Sequence, residues 1–212
     1  MKMDAYECLV TRRSIRRFTN EPIPIEYIEK ILYAGIHAPS SKHIQPWYII
    51  ADTTNRKNLV ASAMEEHEDP SDWNPLHPTK GLFNGTNNSR LISSSGMREA
   101  PLAIQVFSDH PFSGGIDLIS ELHANQEHRR HIVSYSVEIA SLSACVENML
   151  LASHSFGLGG FWCIDPTCIS ETIKKIYNQP DRDYFTTVCI GFPNEDPKPK
   201  KRKKKFEILS SS

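Results

Sequence analysis

The chain has 212 residues, 39% hydrophobic and 23% charged, with a net charge of −1, which is ordinary for a globular domain with one core. No run approaches the roughly 20 apolar residues that span a bilayer, and MKMDAYECLV lacks the apolar core of a secretory signal, so we expect a cytoplasmic protein without a membrane partner. The five cysteines are scattered without a CxxC pair, which argues against a disulfide framework.

The first half of the chain alternates between helical and strand patterns. Residues 3–12 are compatible with a short helix. A second helix begins at Pro24, carries isoleucine and leucine near the 3.6-residue period, and ends before Pro39. The sequence WYIIAD (47–52) predicts a buried strand, and residues 54–66 predict a third helix.

Residues 67–99 have a different composition, rich in proline, asparagine, serine and glycine, without clear periodicity. A segment of this length without regular structure is unusual inside a compact domain and often forms a lid or binding loop. The alternative is a disordered surface excursion, and the composition does not separate the two.

A long apolar helix is predicted over residues 134–155, after a strand at 101–109. Its only charged residues are Glu138 and Glu147, and it contains no glycine or proline. A helix that is apolar on most faces must be buried on nearly every side. We therefore expect a central helix or one shared with a partner subunit.

The remaining elements are a strand at 160–164, a short helix at 167–177 and a strand at 184–192. Because the connections between strands are uneven, a mixed α+β sheet is favoured over a doubly wound one. Residues 198–205 read KPKKRKKK, so the basic charge is concentrated near the end of an otherwise acidic chain. We take residues 1–197 as one domain, with a lid-like insertion at about 67–100, and residues 198–212 as a basic C-terminal extension.

An arginine cluster follows the first helix: Arg12, Arg13, Arg16 and Arg17 lie within six residues, together with Ser14. The guanidinium fork matches the oxygens of a phosphate, and a monoester with nearly two negative charges calls for several cations. The alternative is a solvated basic turn.

A second polar segment, APSSKHIQPW (38–47), connects a helix to a strand and is bracketed by prolines. Rigid loops of this kind often read the polar edge of a planar heterocycle, and the carboxamide of Gln45 can both donate and accept. The alternative is a plain connection whose polar groups cap one another.

Taken together, RRSIRRF followed by APSSxxxQPW resembles the opening of the nitroreductase family of FMN enzymes. Asn148, in ENMLLASHSFGLGGFWC, resembles the family's "QN-LLA-A…GLG" helix and turn. IGFPNEDPKPKKR resembles its closing "GYP-E-P-P-K-R". The resemblance implies an α+β fold, with a mixed central sheet flanked by helices and a long buried helix at a dimer interface.

The resemblance also implies FMN as cofactor, with three groups of binding residues. The arginine cluster and the basic extension would hold the phosphate and ribityl chain, the loop would reach the flavin across a dimer interface, and one strand would lie near the ring. These residues are Arg12, Arg13, Ser14 and Arg16; Lys200 and Arg202; Pro39, Ser40, Ser41, His43 and Gln45; and Trp162, Cys163 and Ile164. His43 departs from the family's asparagine, so its hydrogen bonding to the flavin can differ.

The function implied is transfer of electrons from NAD(P)H to a small acceptor, such as a nitroaromatic or a quinone, by a ping-pong mechanism in a cytoplasmic homodimer. The flavin does the chemistry, so no catalytic side chain is expected, and the segment at 67–100 would cover the acceptor with Trp73 and Phe83 as walls. The alternatives are a reductive dehalogenase or oxygen-using relative on the same scaffold, a flavin carrier or sensor without turnover, and a basic-tailed interaction protein without flavin.

Three other features are set aside. GLGG (157–160) follows a helix and lacks the spacing of a dinucleotide loop, so it predicts a helix end. The basic tail is a weak nucleic-acid or nuclear-localisation signal in an acidic chain, and we expect no nucleic-acid partner. The histidines of ELHANQEHRRH have no supporting ligand at a suitable spacing, so we expect a solvated helix face and no metal.

Overall fold

The computed structural model describes residues 3–67, 89–109, 124–203 and 207, with side chains described from residue 137 onward in the long helix. Trp73 and Phe83, the predicted lid residues, lie outside this range. The helices are α1 (Ala5–Thr11), α2 (Ile25–Ile36), α3 (Arg56–Glu66), α4 (Ser89–Glu99), α5 (Ala124–Ser155) and α6 (Ser170–Ile176). The strands are β1 (Trp47–Asp52), β2 (Leu102–Ser108), β3 (Gly159–Cys163) and β4 (Asp183–Gly191), and short 3₁₀ helices cover Ser41–His43 and Asp165–Ile169.

The four strands form one sheet in the order β1-β2-β4-β3. All three described pairings are antiparallel, with Ile49 opposite Val106 and Ile104 opposite Val188 in the centre of the sheet. A parallel component enters through the isolated bridge between Ser14 and Gly160. Because helices flank an antiparallel sheet, the predicted α+β class is confirmed.

Every residue of β2 is buried, so helices cover both faces of the sheet. On one face α2 and α5 pack through Ile31, Leu142 and Met149. On the other face α3, α4 and α6 pack in a second cluster that includes Met64, Met97 and Ile173. This two-sided burial does not extend to the edge strand β1, which is mostly half-buried.

The long helix α5 begins ten residues before the predicted start, at Ala124. From residue 137 to 155 the buried residues form one stripe that includes Leu142, Cys145 and Met149, and all the others except the exposed Ala140 are half-buried. Burial on nearly every side, as predicted, is therefore not reached within the single chain. Glu138 is 6% exposed, and its Oε2 accepts a hydrogen bond of 2.9 Å from the Ser108 hydroxyl. The carboxamide of Asn148 donates to the carbonyl of Ala34 at 3.0 Å and so ties α5 to α2.

Part of the segment that was predicted to be irregular is helical. Residues 89–99 form α4, with Ser94, Gly96 and Met97 buried. Its sequence, SRLISSSGMRE, has few apolar residues, and the helix is stabilised by packing rather than by propensity. Among the described residues, none of the helices combines the length and apolarity needed to cross a bilayer.

Candidate functional site

Residues 12–19, which contain the arginine cluster and are called the arginine segment below, lie along the edge of the sheet at β3. Arg12 leaves the helical conformation at the end of α1, and two residues later Ser14 bridges to Gly160. The N–H of Ile15 donates to the carbonyl of Gly160 at 3.0 Å. Gly159 leaves no space for a side chain, because a Cβ there would lie 2.6 Å from Cγ1 of Ile15. The segment is therefore held against the strand by direct backbone contact.

The chain that leaves β4 lies on the other side of the same segment. The N–H of Thr19 donates to the carbonyl of Phe192 at 3.0 Å, and the N–H of Asn194 donates to the carbonyl of Arg17 at 2.9 Å. Phe18 and Pro193 form an antiparallel bridge. The two ends of the described chain consequently run side by side.

A cleft of about 500 Å³ opens where these ends meet. This volume lies within the range of small-molecule sites, roughly 300–1,000 Å³. The lining combines six cationic side chains with one carboxylate: it consists of Arg12, Arg13, Ser14, Arg16, Arg17, Ile92, Glu195, Pro197, Lys200 and Arg202. The structure thus brings together all six residues of the predicted phosphate site.

Two of the arginines have acidic partners. Nε of Arg12 lies 3.4 Å from Oε1 of Glu147, but this buried atom has no hydrogen-bond partner among the described residues. The guanidinium of Arg17 forms a close ion pair with Glu99. Part of the positive charge in the cleft is therefore neutralised by the protein itself.

Arg16 differs from its neighbours. Its guanidinium lies 5.3 Å from the centre of the Phe161 ring, and within the described part of the chain it has no hydrogen bond or ion pair. Its backbone N–H, like that of Arg17, donates to the carboxylate of Glu195. Because its backbone is held in place and its guanidinium has no hydrogen bond among the described residues, Arg16 can bind an anion in the cleft.

The donor set fits a phosphate monoester. It offers the guanidinium of Arg16, which has no hydrogen bond among the described residues, a serine hydroxyl and two cations from the C-terminal segment. Such charge-assisted hydrogen bonds are about twice as strong as neutral ones. The cleft can therefore hold an anionic head group.

The polar segment at 38–47, called the polar loop below, has an unusual backbone conformation. Lys42, His43 and Gln45 have φ angles of 50°, 59° and 46°, in the left-handed region that is uncommon for residues other than glycine. The hydroxyl of Ser40 accepts a hydrogen bond of 3.2 Å from the N–H of Gln45. Strained conformations of this kind cluster at functional sites, which favours a binding role for the loop.

Within one chain this loop does not line the arginine cleft. Pro39, Ser41, His43 and Gln45 are exposed, and Ser40 is half-buried. The single chain therefore does not join the two predicted halves of the site, and their meeting across a dimer interface stays a prediction.

The third predicted group lies at the end of β3. Nε1 of the half-buried Trp162 donates to Oγ1 of Thr186 at 2.8 Å, which leaves the indole without a free donor. Burial raises the pKa of the Cys163 thiol to about 12, so this cysteine is a neutral packing residue rather than a nucleophile. Ile164 is 58% exposed and is the residue of this group that is available to a ligand.

Four residues of the cleft were not predicted to belong to it: Arg17, Ile92, Glu195 and Pro197. Arg17 and Glu195 lie inside the recognised motifs, so their positions in those motifs were the available signal. Ile92 belongs to α4, which the sequence pattern did not reveal.

No group of three potential metal ligands occurs among the described side chains. Those of His123, His128 and His131 lie outside them. A second cavity, of about 280 Å³, lies between α5, α6 and the start of β4 and contains Glu138, Glu171 and Lys174. Lys174 and Glu171 form an ion pair of 3.1 Å. None of the predicted cofactor residues lines this cavity.

Comparison with known proteins places the chain in context. The model of the Nitroreductase family matches residues 9–192. An iodotyrosine deiodinase of Haliscomenobacter hydrossis is 36% identical over 192 residues, which cover 90% of this chain and 79% of that protein. A 5,6-dimethylbenzimidazole synthase of Rhodospirillum rubrum is 28% identical over 199 residues, covering 87% and 80% of the two chains.

Among solved structures, the NADPH:FMN oxidoreductase from Vibrio harveyi, complexed with NAD⁺, has a TM-score of 0.67 with 19% identity. The match covers 97% of this chain and 79% of that protein, and at this identity it shows a shared fold.

Proposed function

The chain belongs to the nitroreductase family of oxidoreductases, and from that premise we propose that it is an FMN-dependent enzyme. In this proposal it transfers electrons from NADH or NADPH to a small acceptor, such as a nitroaromatic or a quinone. The observation that carries the proposal is the cleft in which Arg12, Ser14 and Arg16 meet Lys200 and Arg202. The similarity in fold to an NADPH:FMN oxidoreductase supports the same cofactor.

The residues of the chain supply binding and orientation. Arg16 and the hydroxyl of Ser14 would hold the phosphate, while Lys200 and Arg202 would close over it from the C-terminal side. Ile164, exposed at the end of β3, would lie beside the ring system. When bound, FMN supplies the hydride chemistry, and ping-pong kinetics follow if the reductant and the acceptor use one slot in turn.

The polar loop would complete the site from a second subunit of a cytoplasmic homodimer. Its strained residues Lys42, His43 and Gln45 are exposed in the single chain and do not line the chain's own cleft. Exposed apolar residues on α1 and α2 offer a surface for pairing: Tyr6, Leu9, Val10, Ile25, Tyr33 and Ile36.

The proposal is tested by the visible absorption spectrum of the purified protein before and after NADH or NADPH is added without oxygen. We expect a bound flavin spectrum that bleaches on addition and recovers with a quinone or nitroaromatic. A colourless protein that does not take up added FMN overturns the proposal. Bleaching by dithionite alone would instead support a flavin carrier or sensor.

A second candidate, reductive dehalogenation, is favoured by the 36% identity to an iodotyrosine deiodinase. Both functions share the same cofactor, so the acceptor distinguishes them. Faster reoxidation of the reduced protein by an iodotyrosine than by a nitroaromatic, in the absence of oxygen, would select the second candidate. A parallel assay with oxygen alone identifies an oxygen-using enzyme.

A further inference from the structure

The chain that follows β4, residues 193–203, is referred to here as the C-terminal strap. Two side chains fasten it to the arginine segment. Nη1 of Arg13 donates to the carbonyl of Pro197 at 3.1 Å and to that of Lys198. Oε1 of Glu195 accepts from the N–H of Arg16 and, at 3.1 Å, from that of Arg17. The first contact is made by a side chain of the arginine segment, and the second is made by a side chain of the strap.

The fastened strap points its cations into the cleft in an alternating pattern. Lys200 and Arg202 line the cleft, whereas Lys201 and Lys203 do not, although all four are exposed. Such alternation is that of an extended backbone, in which successive side chains point to opposite sides. The position of Lys200 and Arg202 therefore depends on where the backbone at 197–198 is held, and Arg13 holds it.

We infer that Arg13 and Glu195 are positioning residues that clip the strap over the cleft, and that Arg13 acts on the phosphate through Lys200 and Arg202 rather than by contact. This inference rests on the proposed function and assigns a new role within the same site. Nη1 of Arg13 donates to two strap carbonyls, and Oε1 of Glu195 accepts from two backbone amides.

Because Glu195 is negatively charged, the direction of the change in FMN affinity after its removal distinguishes a positioning role from a purely electrostatic one. A carboxylate in a cleft that binds an anion repels it, so charge alone predicts tighter FMN binding after Glu195 is removed. Positioning predicts weaker binding for Glu195→Ala, because the amides of Arg16 and Arg17 lose their acceptor. Glu195→Gln keeps an acceptor oxygen without the charge, and it should bind FMN within about threefold of the unaltered protein or more tightly.

Arg13 is tested by a mutant cycle in the full-length protein, with FMN affinity read from the quenching of flavin fluorescence. We expect Arg13→Ala to weaken binding by at least about tenfold, as expected for a lost charge-assisted contact. In the Lys200→Ala/Arg202→Ala background the same change should cost no more than about twofold, because the groups it positions are already absent. Lys201→Ala/Lys203→Ala is the matched control and should stay within about twofold of the unaltered protein.

Equal losses from Arg13→Ala in both backgrounds would show direct contact with the ligand and overturn the inference, as would an unchanged affinity after Arg13→Ala. Tighter binding by Glu195→Ala would overturn the role of Glu195. Thermal unfolding of each variant checks folding, and Glu195→Gln with the Arg13 cycle decides the question if Glu195→Ala does not fold. If the unaltered protein fails to bind FMN, the proposed function fails as well. If it binds FMN but Arg13→Ala lowers the affinity equally in both backgrounds, only the positioning role of Arg13 is rejected.

Discussion

The backbone N–H of Ile15 donates to the carbonyl of Gly160 at 3.0 Å, joining the arginine segment to β3 across most of the length of the chain. Both residues are buried, and the neighbouring Gly159 admits Ile15 only because it lacks a side chain. This contact sets how far the arginines stand from the strand that ends at Cys163 and from the exposed Ile164 beyond it.

Gly159→Ala should therefore disturb the site and the fold together. The added Cβ would lie 2.6 Å from Cγ1 of Ile15, and overpacking of this kind costs about 1–3 kcal/mol. We expect a lower free energy of unfolding in urea and weaker FMN binding. If the clash with Ile15 is the cause, the double variant Gly159→Ala/Ile15→Ala will lose less free energy of unfolding than the sum of the two single losses. A loss equal to that sum would refute the clash as the cause.

Arg16→Ala should weaken FMN binding more than it affects stability, because the guanidinium of Arg16 has no described hydrogen bond or ion pair to lose. A hydrogen bond to a charged group contributes about 1.5–3 kcal/mol, so we expect a loss of roughly tenfold to a hundredfold in affinity by fluorescence titration. Arg16→Lys should recover part of it. Lys201→Ala, which removes a cation outside the cleft, is the control, and an equal loss there would indicate unspecific attraction.

Lys42→Gly should stabilise the polar loop relative to Lys42→Ala. Lys42 has a φ angle of 50°, a conformation that costs a residue with a Cβ about 1–2 kcal/mol, whereas glycine adopts it freely. Both changes remove the same ammonium group, so their difference isolates the backbone. We expect the glycine variant to unfold at a free energy about 1 kcal/mol higher than the alanine variant. Equal stabilities would mean that the loop relaxes.

Stability should fall in alkaline solution because of the buried thiols. Burial raises the pKa of Cys145 from an ordinary value of 9.0 to about 12. An acid whose pKa is higher in the folded state stabilises the fold below its unfolded pKa and loses that contribution as pH rises toward the folded pKa. Each such thiol should lower the free energy of unfolding by about 1.4 kcal/mol per pH unit between these values.

Urea unfolding of the reduced protein at pH 8 to 10.5 measures this slope. Cys145→Ala should be less stable at pH 8 because of the cavity it leaves, yet its slope should be shallower by the contribution of one thiol. A free energy of unfolding that does not change across this range would contradict the assignment of neutral, buried cysteines.

Much of the fold was predictable because its helices and strands carry their own periodicity or apolar runs. The pattern WYIIAD predicted β1, and the nearly uncharged 134–155 predicted a buried helix. The helix α4 was missed because Met97 is the only large apolar residue on its buried face, which otherwise consists of serine, glycine and Arg90. Ser93, for example, donates to the carboxylate of Asp165 at 2.5 Å, and no local pattern encodes that partner.

The cationic half of the site was predictable because arginines that follow one another in a motif remain neighbours in space. The roles of Arg13 and Glu195 were not, since they depend on backbone groups more than 170 residues away in the chain. The loop that contains His43 does not line the cleft within one chain, and its contact with the flavin across a dimer interface stays a prediction.

The central claim is that cations from both ends of the chain bind one phosphate. A comparison of the protein's affinities for FMN and riboflavin tests this claim most directly. The two ligands share the ring system and the ribityl chain and differ in the phosphate. With at least two charge-assisted hydrogen bonds at stake, we predict that FMN binds at least about a hundredfold more tightly than riboflavin, with the difference shrinking as salt is added. Equal affinities would contradict the claim, whatever reaction the protein catalyses.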